Sequence, residues 1–223
     1  MAKNPRILPI PITNPVIEEY CLNHSSTLPP ELYQVEKYTQ ENILAHRMMS
    51  NHIQAHFLIS ISKMICPQNI LEIGTFTGYS AICLAQGLQP NGKLITIEKQ
   101  PQFIQIAQKF FDQYNYTNIQ IIQGDGIEKV KQLQDKFDLI YLDADKERYI
   151  EYVDLLLPLL NDNAWLLIDN TLWKGLVSEE AKEPVTKKLQ EFNNYLATIR
   201  PSLFYTLLPI RDGITLITKN KEY

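Results

Sequence analysis

The chain has 223 residues, of which 45% are hydrophobic and 21% are charged, and its net charge is −4. This length and composition are typical of one globular domain with a full α/β core. The acidic balance argues against broad electrostatic attraction to nucleic acid. No apolar run approaches the ~20 residues of a membrane-spanning helix, and the N-terminal residues lack a secretory-signal pattern. We therefore expect a cytoplasmic protein with no membrane partner.

The predicted elements begin after a proline-rich arm at residues 1–13. Helices are expected at residues 14–23, 30–46 and 51–65. From residue 69, short apolar runs alternate with amphipathic segments, which indicates a parallel sheet with helices on both faces. Strands are predicted at 69–74, 93–98, 118–123, 137–143 and 163–169, and helices at 78–88, 101–114, 125–134, 146–160 and 179–198.

The end of the chain breaks this alternation. Two strand-like runs, 203–208 and 214–218, are separated by five residues and no helix, which predicts an antiparallel hairpin. The expected fold is α/β, with a Rossmann-like seven-stranded mixed sheet, helices on both faces and a C-terminal antiparallel hairpin. We expect a single domain over 1–223, in which 1–68 form the arm and first helices and 69–223 form the core.

Neither the cysteines nor the histidines indicate a metal site. The three cysteines lack metal-site spacing, and Cys66 and Cys83 fall in apolar helical stretches, so we expect both to be reduced, buried thiols. His46, His52 and His56 have no acid or cysteine nearby in the sequence. Packing or surface roles are expected for them.

Five of the predicted strands end in an acid. These acids are Glu72, Glu98, Asp125, Asp143 and Asp169. Ligands of open α/β sheets bind just outside the carboxyl ends of the strands. Carboxylates gathered there repel one another, so the pattern predicts a cationic or hydroxylated ligand.

The first strand leads into a glycine turn that favours a cationic nucleoside. Its spacing, Gly74-x-x-x-Gly78, differs from the dinucleotide fingerprint, and Glu72 would repel a pyrophosphate at the helix N-terminus. These features disfavour a nicotinamide dehydrogenase. Glu98 can accept hydrogen bonds from both ribose hydroxyls, and the Asp125-Gly126 turn can meet an adenine edge. S-adenosylmethionine, with its sulfonium and amino group, fits this set.

A second group of oxygens follows the fourth and fifth strands. Asp143, Asp169 and Asn170 offer the hard ligands that Mg²⁺ prefers. Vicinal oxygens of a catechol-like substrate could complete the coordination shell, and Lys146 could take the proton from the attacking hydroxyl. Asp145 can be interpreted either as part of this cluster or as a helix cap.

Two motifs carry a resemblance to a known family. The run Leu71 to Ser80 resembles motif I of class I methyltransferases. Together with Asp143-Ala144-Asp145-Lys146 and Asp169-Asn170-Thr171-Leu172-Trp173-x-Gly175, it resembles the cation-dependent O-methyltransferases of the catechol and caffeoyl-CoA group. The resemblance runs from about Met49 to Lys219.

The resemblance implies a set of site residues. Cofactor contacts carry over to Ser50, Glu72, Gly74, Thr75, Ser80, Glu98, Gly126 and Asp143; the metal ligands to Asp143, Asp169 and Asn170; and the general base to Lys146. The implied cofactors are S-adenosylmethionine and Mg²⁺, or another divalent cation such as Mn²⁺ or Ca²⁺. It also implies a homodimer, with the N-terminal helices covering the active site.

Departures from the family pattern leave the acceptor open. Gly126 is usually alanine in relatives; that contact is through backbone, so we expect the change to be harmless. Lys174 replaces an asparagine that contacts substrate in the plant enzymes. The segment 169–177 also resembles bacterial enzymes that methylate 5-hydroxyuridine in tRNA, although those usually have alanine in place of Asp145.

The leading hypothesis is Mg²⁺-dependent methylation of a small vicinal-diol aromatic, with Trp173 and Met48-Met49 as walls of its pocket. The alternatives are a tRNA 5-hydroxyuridine O-methyltransferase and a non-catalytic protein that binds S-adenosylmethionine. The intact Asp143, Lys146, Asp169 and Asn170 argue against loss of catalysis.

Overall fold

A computed structural model describes residues 12–199 and 203–219, so most of the predicted arm lies outside the described residues. The helices are α1 (Pro15–Asn23), α2 (Pro30–Asn42), α3 (His52–Ile65), α4 (Tyr79–Ala85), α5 (Pro101–Gln113), α6 (Gly126–Val130), α7 (Tyr149–Leu156) and α8 (Pro184–Thr198). The strands are β1 (Asn69–Ile73), β2 (Lys93–Glu98), β3 (Ile119–Gln123), β4 (Phe137–Leu142), β5 (Leu160–Asp169), β6 (Leu203–Leu208) and β7 (Ile214–Lys219).

The seven strands form one mixed sheet in the order β3-β2-β1-β4-β5-β7-β6. Strands β1 to β5 are parallel, while β7 is antiparallel to both β5 and β6. The chain moves outward from β1 to β3 and then returns to β4 on the other side of β1. This reversal opens a crevice between the carboxyl ends of β1 and β4, where ligands of such sheets bind. The predicted Rossmann-like sheet with its C-terminal hairpin is confirmed.

Helices cover both faces because successive strand residues, which point to opposite faces of the sheet, are both apolar. Ile70 and Leu94 pack on one face against α2, α3, α4 and α5. Leu71 and Ile95 point to the opposite face, against α6, α7 and α8. Continuous burial of successive residues explains why these strands read as unbroken apolar runs instead of an apolar–polar alternation.

Five predicted helices differ from the structure by three or more residues at one or both ends. Those predicted at 78–88 and 125–134 end earlier, at Ala85 and Val130. The helix predicted at 30–46 ends at Asn42, and a separate 3-10 turn follows at His46–Met48. The helix predicted at 146–160 is reduced to α7 between two 3-10 turns, and β5 begins at Leu160. The helix predicted from 179 begins at Pro184, because a proline disfavours helical backbone at the residue before it, here Glu183.

One predicted cysteine environment is wrong. Cys83 is buried in α4, but Cys66 is exposed, since it ends α3 in a left-handed conformation with φ 52°. His52 Nε2 lies 2.8 Å from Glu36 Oε2, an acid that is distant from it in the sequence. Within 12–199 and 203–219, no helix is long and apolar enough to span a membrane.

Candidate active site

A cleft of about 810 Å³ opens at the carboxyl ends of the central strands. Nine of the residues predicted for the site line it: Ser50, Gly74, Thr75, Ser80, Glu98, Gly126, Asp143, Lys146 and Asn170. Glu72 and Asp169, the other two, are fully buried at the ends of β1 and β5 and do not line the cleft. The fold therefore gathers the predicted residues at one edge of the sheet.

The floor of the cleft depends on a close backbone approach at Gly74. Its φ is 101°, and a Cβ there would lie 2.1 Å from the carbonyl oxygen of Asp143. The Asp143 amide donates to the Ile73 carbonyl at 2.9 Å, which keeps β1 and β4 paired up to this point. Only glycine leaves room for this approach.

Glu98 is held rigidly at the end of β2. Its Oε2 accepts from the Phe76 amide at 2.9 Å and its Oε1 from the Gln100 amide at 2.8 Å. An ionised carboxylate has about four acceptor sites, so each oxygen can still accept another hydrogen bond. The carboxylate is thus oriented for a ligand that offers paired hydroxyl donors.

Glu72 is a buried carboxyl with an unsatisfied oxygen. The Thr96 hydroxyl donates to Oε2 at 2.5 Å, whereas Oε1 has no hydrogen-bond partner in the described part of the chain. Burial raises the pKa of Glu72 to about 8, although the Thr96 bond acts in the opposite direction. A nearby cation would stabilise the ionised form of such a group.

Asp143 and Asp169 form the acidic end of the cleft. Lys146 Nζ donates to Asp143 Oδ1 at 2.7 Å. Burial raises the pKa of Asp169 to about 6, and the negative charge of Asp143 adds to this effect. The Tyr141 hydroxyl donates to Asp169 Oδ2 at 2.9 Å, and the backbone N–H of Asn170 donates to Oδ1 at 2.7 Å. The charge of Asp143 thus opposes the ionisation of Asp169.

Asp125 and Asp145 are engaged mainly by the protein itself. Asp125 caps α6 through the Ile127 amide, and Arg148 Nη1 donates to both of its oxygens at 3.1 Å. Burial tends to raise the pKa of Asp125, but the hydrogen bonds and charge of Arg148 prevail and lower it. Asp145 is exposed and caps the turn at 146–148 through the Glu147 amide, which favours the cap interpretation.

The comparison with known proteins identifies the family. A sequence profile described as O-methyltransferase matches residues 22–220, nearly the whole chain. The chain belongs to the S-adenosylmethionine-dependent O-methyltransferase family. The predicted family, methyl donor and class of enzyme are thereby confirmed.

Individual relatives cover most of this methyltransferase. It is 33% identical to O-methyltransferase ankF of Aspergillus thermomutatus, over 95% of this chain and 96% of the relative. It is 37% identical to a catechol O-methyltransferase of Niastella koreensis, over 64% of this chain and 67% of the relative. The crystal structure of the S-adenosylhomocysteine-bound methyltransferase PaMTH1 of Podospora anserina superposes with a TM-score of 0.86 at 27% identity, covering 92% and 94% of the two chains.

Sequence reasoning missed several residues of the methyltransferase site. Gln54 and Tyr141 hold the Asp169 carboxylate, and Arg211 reaches the cleft from the turn between β6 and β7. A glutamine on the apolar side of α3 is the one local signal, because a buried amide needs polar partners. Tyr152, on the amphipathic helix α7, is buried and also lines the cleft beside Gly126.

Proposed function

We propose that this methyltransferase methylates a hydroxyl of a small aromatic vicinal diol and depends on Mg²⁺ or another divalent cation. Asp143, Asp169 and Asn170 are the proposed metal ligands. The observation that carries the proposal is the pair of carboxylates at the ends of β4 and β5, since the charge of Asp143 helps to raise the pKa of Asp169 to about 6. A divalent cation would relieve that repulsion.

The donor set fits a hard cation. Two carboxylates and an amide supply oxygens alone, which suits Mg²⁺ better than a softer transition metal. Within the described ranges, no three His, Cys, Asp or Glu side chains are grouped to hold a metal. The third protein ligand would therefore be the Asn170 amide, and substrate or water oxygens would complete the shell.

The cofactor residues act at the other end of the cleft. We assign Glu72 to the cationic end of S-adenosylmethionine and Glu98 to its ribose hydroxyls. The hydroxyls of Thr75 and Thr96 lie 2.5 Å apart, and Thr96 also donates to Glu72, so this chain of hydrogen bonds fixes the Glu72 side chain. Ser50, Ser80 and the Gly126 backbone are the remaining proposed contacts.

The chain's own residues handle the acceptor proton. When bound, S-adenosylmethionine supplies an electrophilic methyl group, and a divalent cation supplies a Lewis acid that lowers the pKa of a coordinated hydroxyl. Lys146 in its neutral form would accept the proton of the acceptor hydroxyl at Nζ, and Asp143 orients the Lys146 side chain through their 2.7 Å hydrogen bond. The buried strand ends hold these groups in a fixed geometry, which favours in-line transfer.

The acceptor end of the cleft suits an aromatic ring. Met48, Met49, Trp173 and Val185 give it apolar walls, and Lys174 Nζ lies 5.7 Å from the centre of a Trp173 ring. The similarity to the Niastella koreensis catechol O-methyltransferase supports the same acceptor class. A flat ring with two adjacent hydroxyls would fit between these walls and the acidic end.

We also propose a homodimer. Helix α1 has no buried residue, and Val16, Ile17 and Tyr20 are 72%, 61% and 63% exposed. Exposed apolar side chains on one helix are typical of a surface that a partner covers. Light scattering after size exclusion tests this, and a monomeric mass at micromolar concentration would contradict it.

The central experiment is a methyl-donor consumption assay with catechol, a matched monophenol and hypomodified tRNA as acceptors. Of the three acceptors, we expect only catechol to be methylated. This activity should be lost in excess EDTA and recovered when Mg²⁺ is added. Asp169→Asn should abolish turnover, whereas Asp162→Asn, at an exposed position, should not. Full activity in EDTA would refute the metal role, and transfer to tRNA without transfer to catechol would refute the acceptor class.

A further inference from the structure

The Arg211 side chain joins the C-terminal hairpin to the segment that walls the acceptor end of the cleft. Its Nη2 donates to the carbonyl oxygens of Met49 at 2.9 Å and Arg47 at 3.2 Å. The side chains of Met49 and of Met48, which lies between the two bonded residues, line the cleft. One guanidinium group therefore holds both ends of the short segment 47–49.

The same guanidinium reaches the acidic end of the cleft through Gln54. Arg211 Nη1 donates to Gln54 Oε1 at 2.8 Å, and Gln54 Nε2 donates to Asp169 Oδ2 at 2.5 Å. The Gln54 side chain is fully buried. The Gln54 amide oxygen accepts from the Arg211 guanidinium, and its nitrogen donates to the Asp169 carboxylate. These two charged partners define the orientation of the amide.

The backbone at Arg211 indicates that this side chain has a specific role. Its φ is 48°, in the left-handed region where glycine is the favoured residue. On backbone grounds alone, glycine would suit this turn better. The arginine adds three hydrogen bonds from a planar fork, a geometry that lysine does not reproduce.

We propose that Arg211 is a positioning residue for the acceptor. It fixes the wall at 47–49 relative to Asp169, so that an aromatic acceptor held by the wall presents its hydroxyl at a set distance from the acidic end. The catalytic part of this inference rests on the proposed function. The structural part, that Arg211 restrains the segment 47–49, does not.

Arg211→Gly is the sharpest test because glycine adopts the same φ without strain. The matched control is Asn115→Gly, at an exposed position with φ 58° that is remote from the cleft. In hydrogen exchange, Arg211→Gly should speed amide exchange over residues 47–51 by about tenfold, the loss expected for charge-assisted hydrogen bonds. The control should leave that exchange unchanged.

Kinetics supply the second measurement. Arg211→Gly should raise the acceptor KM by about tenfold while the Kd of S-adenosylmethionine stays within about twofold, because Arg211 hydrogen-bonds to the segment 47–49 and to Gln54 but to none of the proposed cofactor contacts. Arg211→Lys should recover part of the loss. Gln54→Met should also raise the acceptor KM. Adding Arg211→Gly to Gln54→Met should raise the acceptor KM by a smaller factor than Arg211→Gly does in the unmodified protein, because both residues act through one chain of hydrogen bonds.

The outcomes separate the two proposals. Unchanged amide exchange over residues 47–51 in Arg211→Gly would overturn the proposal that Arg211 restrains this segment and positions the acceptor. An unchanged acceptor KM would overturn it as well. If Arg211→Gly does not fold, amide exchange is measured on Arg211→Lys instead. Unchanged exchange over residues 47–51 in that variant would likewise overturn the proposal. If the unmodified protein methylates no catechol, the proposed acceptor class fails, and the exchange data still decide whether Arg211 restrains the wall.

Discussion

The hydroxyl of Tyr152 occupies the space that a side chain on Gly126 would need. A Cβ at position 126 would lie 2.3 Å from Tyr152 Oη and 2.8 Å from Ile73 Cγ2. Tyr152 is buried, and Arg148 packs over its ring at 6.0 Å. The ring therefore has little freedom to move away, so an alanine at position 126 would force this packing to shift.

Gly126→Ala should destabilise the fold by about 1–3 kcal/mol, the usual cost of overpacking, and should weaken S-adenosylmethionine binding. Tyr152→Phe alone should cost little stability, because it removes one oxygen atom from a ring that lines the cleft. The double variant should be more stable than Gly126→Ala, since the closest clashing atom is gone. Denaturant unfolding and calorimetry measure the two effects, and strictly additive losses would contradict the coupling.

Lys146→Met should reduce kcat by about 10²–10⁴-fold, the usual contribution of a positioned base. Methionine keeps the unbranched shape of the side chain but lacks the terminal amine that accepts a proton, and it also frees Asp143 from its 2.7 Å hydrogen bond. The Kd of S-adenosylmethionine should stay within about twofold, because Lys146 contacts the acceptor side. Single-turnover kinetics and calorimetry test this together.

The control for that variant is Lys182→Met, on an exposed residue before α8. It removes the same charge without touching the cleft, so its kcat should equal that of the unmodified protein. A similar fall in kcat for both variants would show an effect of net charge. An unchanged kcat for Lys146→Met would remove Lys146 from the mechanism.

The strands were predictable because burial on both faces leaves an unbroken apolar run. Predicted and observed bounds of β1 to β4 agree within one residue. Helix ends were less predictable than strands. Ile43 and Leu44 continue the apolar pattern of α2, yet the backbone of Ile43 is extended. After α2 ends, the chain turns and brings Met49 and Ser50 to the cleft, a tertiary placement that has no local signal in the sequence.

The site divides in the same way. Acids at strand ends were predictable, because parallel strands deliver their carboxyl ends to one edge of the sheet. The hydrogen bond between Gln54 and Arg211 joins residues 157 positions apart, and neither residue type predicts the other. Pairing of this kind emerges only when the hairpin packs beside α3.

Asn170 offers a test of metal binding that does not depend on turnover. Its φ of 59° suits asparagine and aspartate alike, so Asn170→Asp should preserve the backbone. A third carboxylate should lower the melting temperature of the metal-free protein by repulsion from Asp143 and Asp169, and should increase the rise in melting temperature caused by Mg²⁺. Thermal unfolding with and without Mg²⁺ measures both.

Asn170→Ala supplies the opposite change. It removes the amide oxygen without adding charge, so the rise in melting temperature with Mg²⁺ should shrink or vanish. Equal Mg²⁺ effects in the unmodified protein, Asn170→Asp and Asn170→Ala would exclude Asn170 as a ligand. A smaller Mg²⁺ effect in Asn170→Asp than in the unmodified protein would do the same.

Glu72 should make the stability of the cofactor-free protein fall as the pH rises. Burial raises its pKa from 4.5 to about 8 in the folded state, so the folded chain binds this proton more tightly than the unfolded chain. The resulting stabilisation is complete below about pH 4.5 and is lost as the pH approaches 8. Glu72→Gln should reduce this decline, by on the order of a few kcal/mol between pH 5 and pH 8, in urea unfolding.

The same proton should report on the cofactor. If the cationic end of S-adenosylmethionine meets Glu72, binding favours the carboxylate and releases up to one proton near pH 7. Calorimetry in buffers of different ionisation enthalpy measures that release, which should be absent in Glu72→Gln. Glu180→Gln, at an exposed position, is the control and should behave as the unmodified protein. Proton release that persists in Glu72→Gln would assign it to another group and separate Glu72 from the sulfonium.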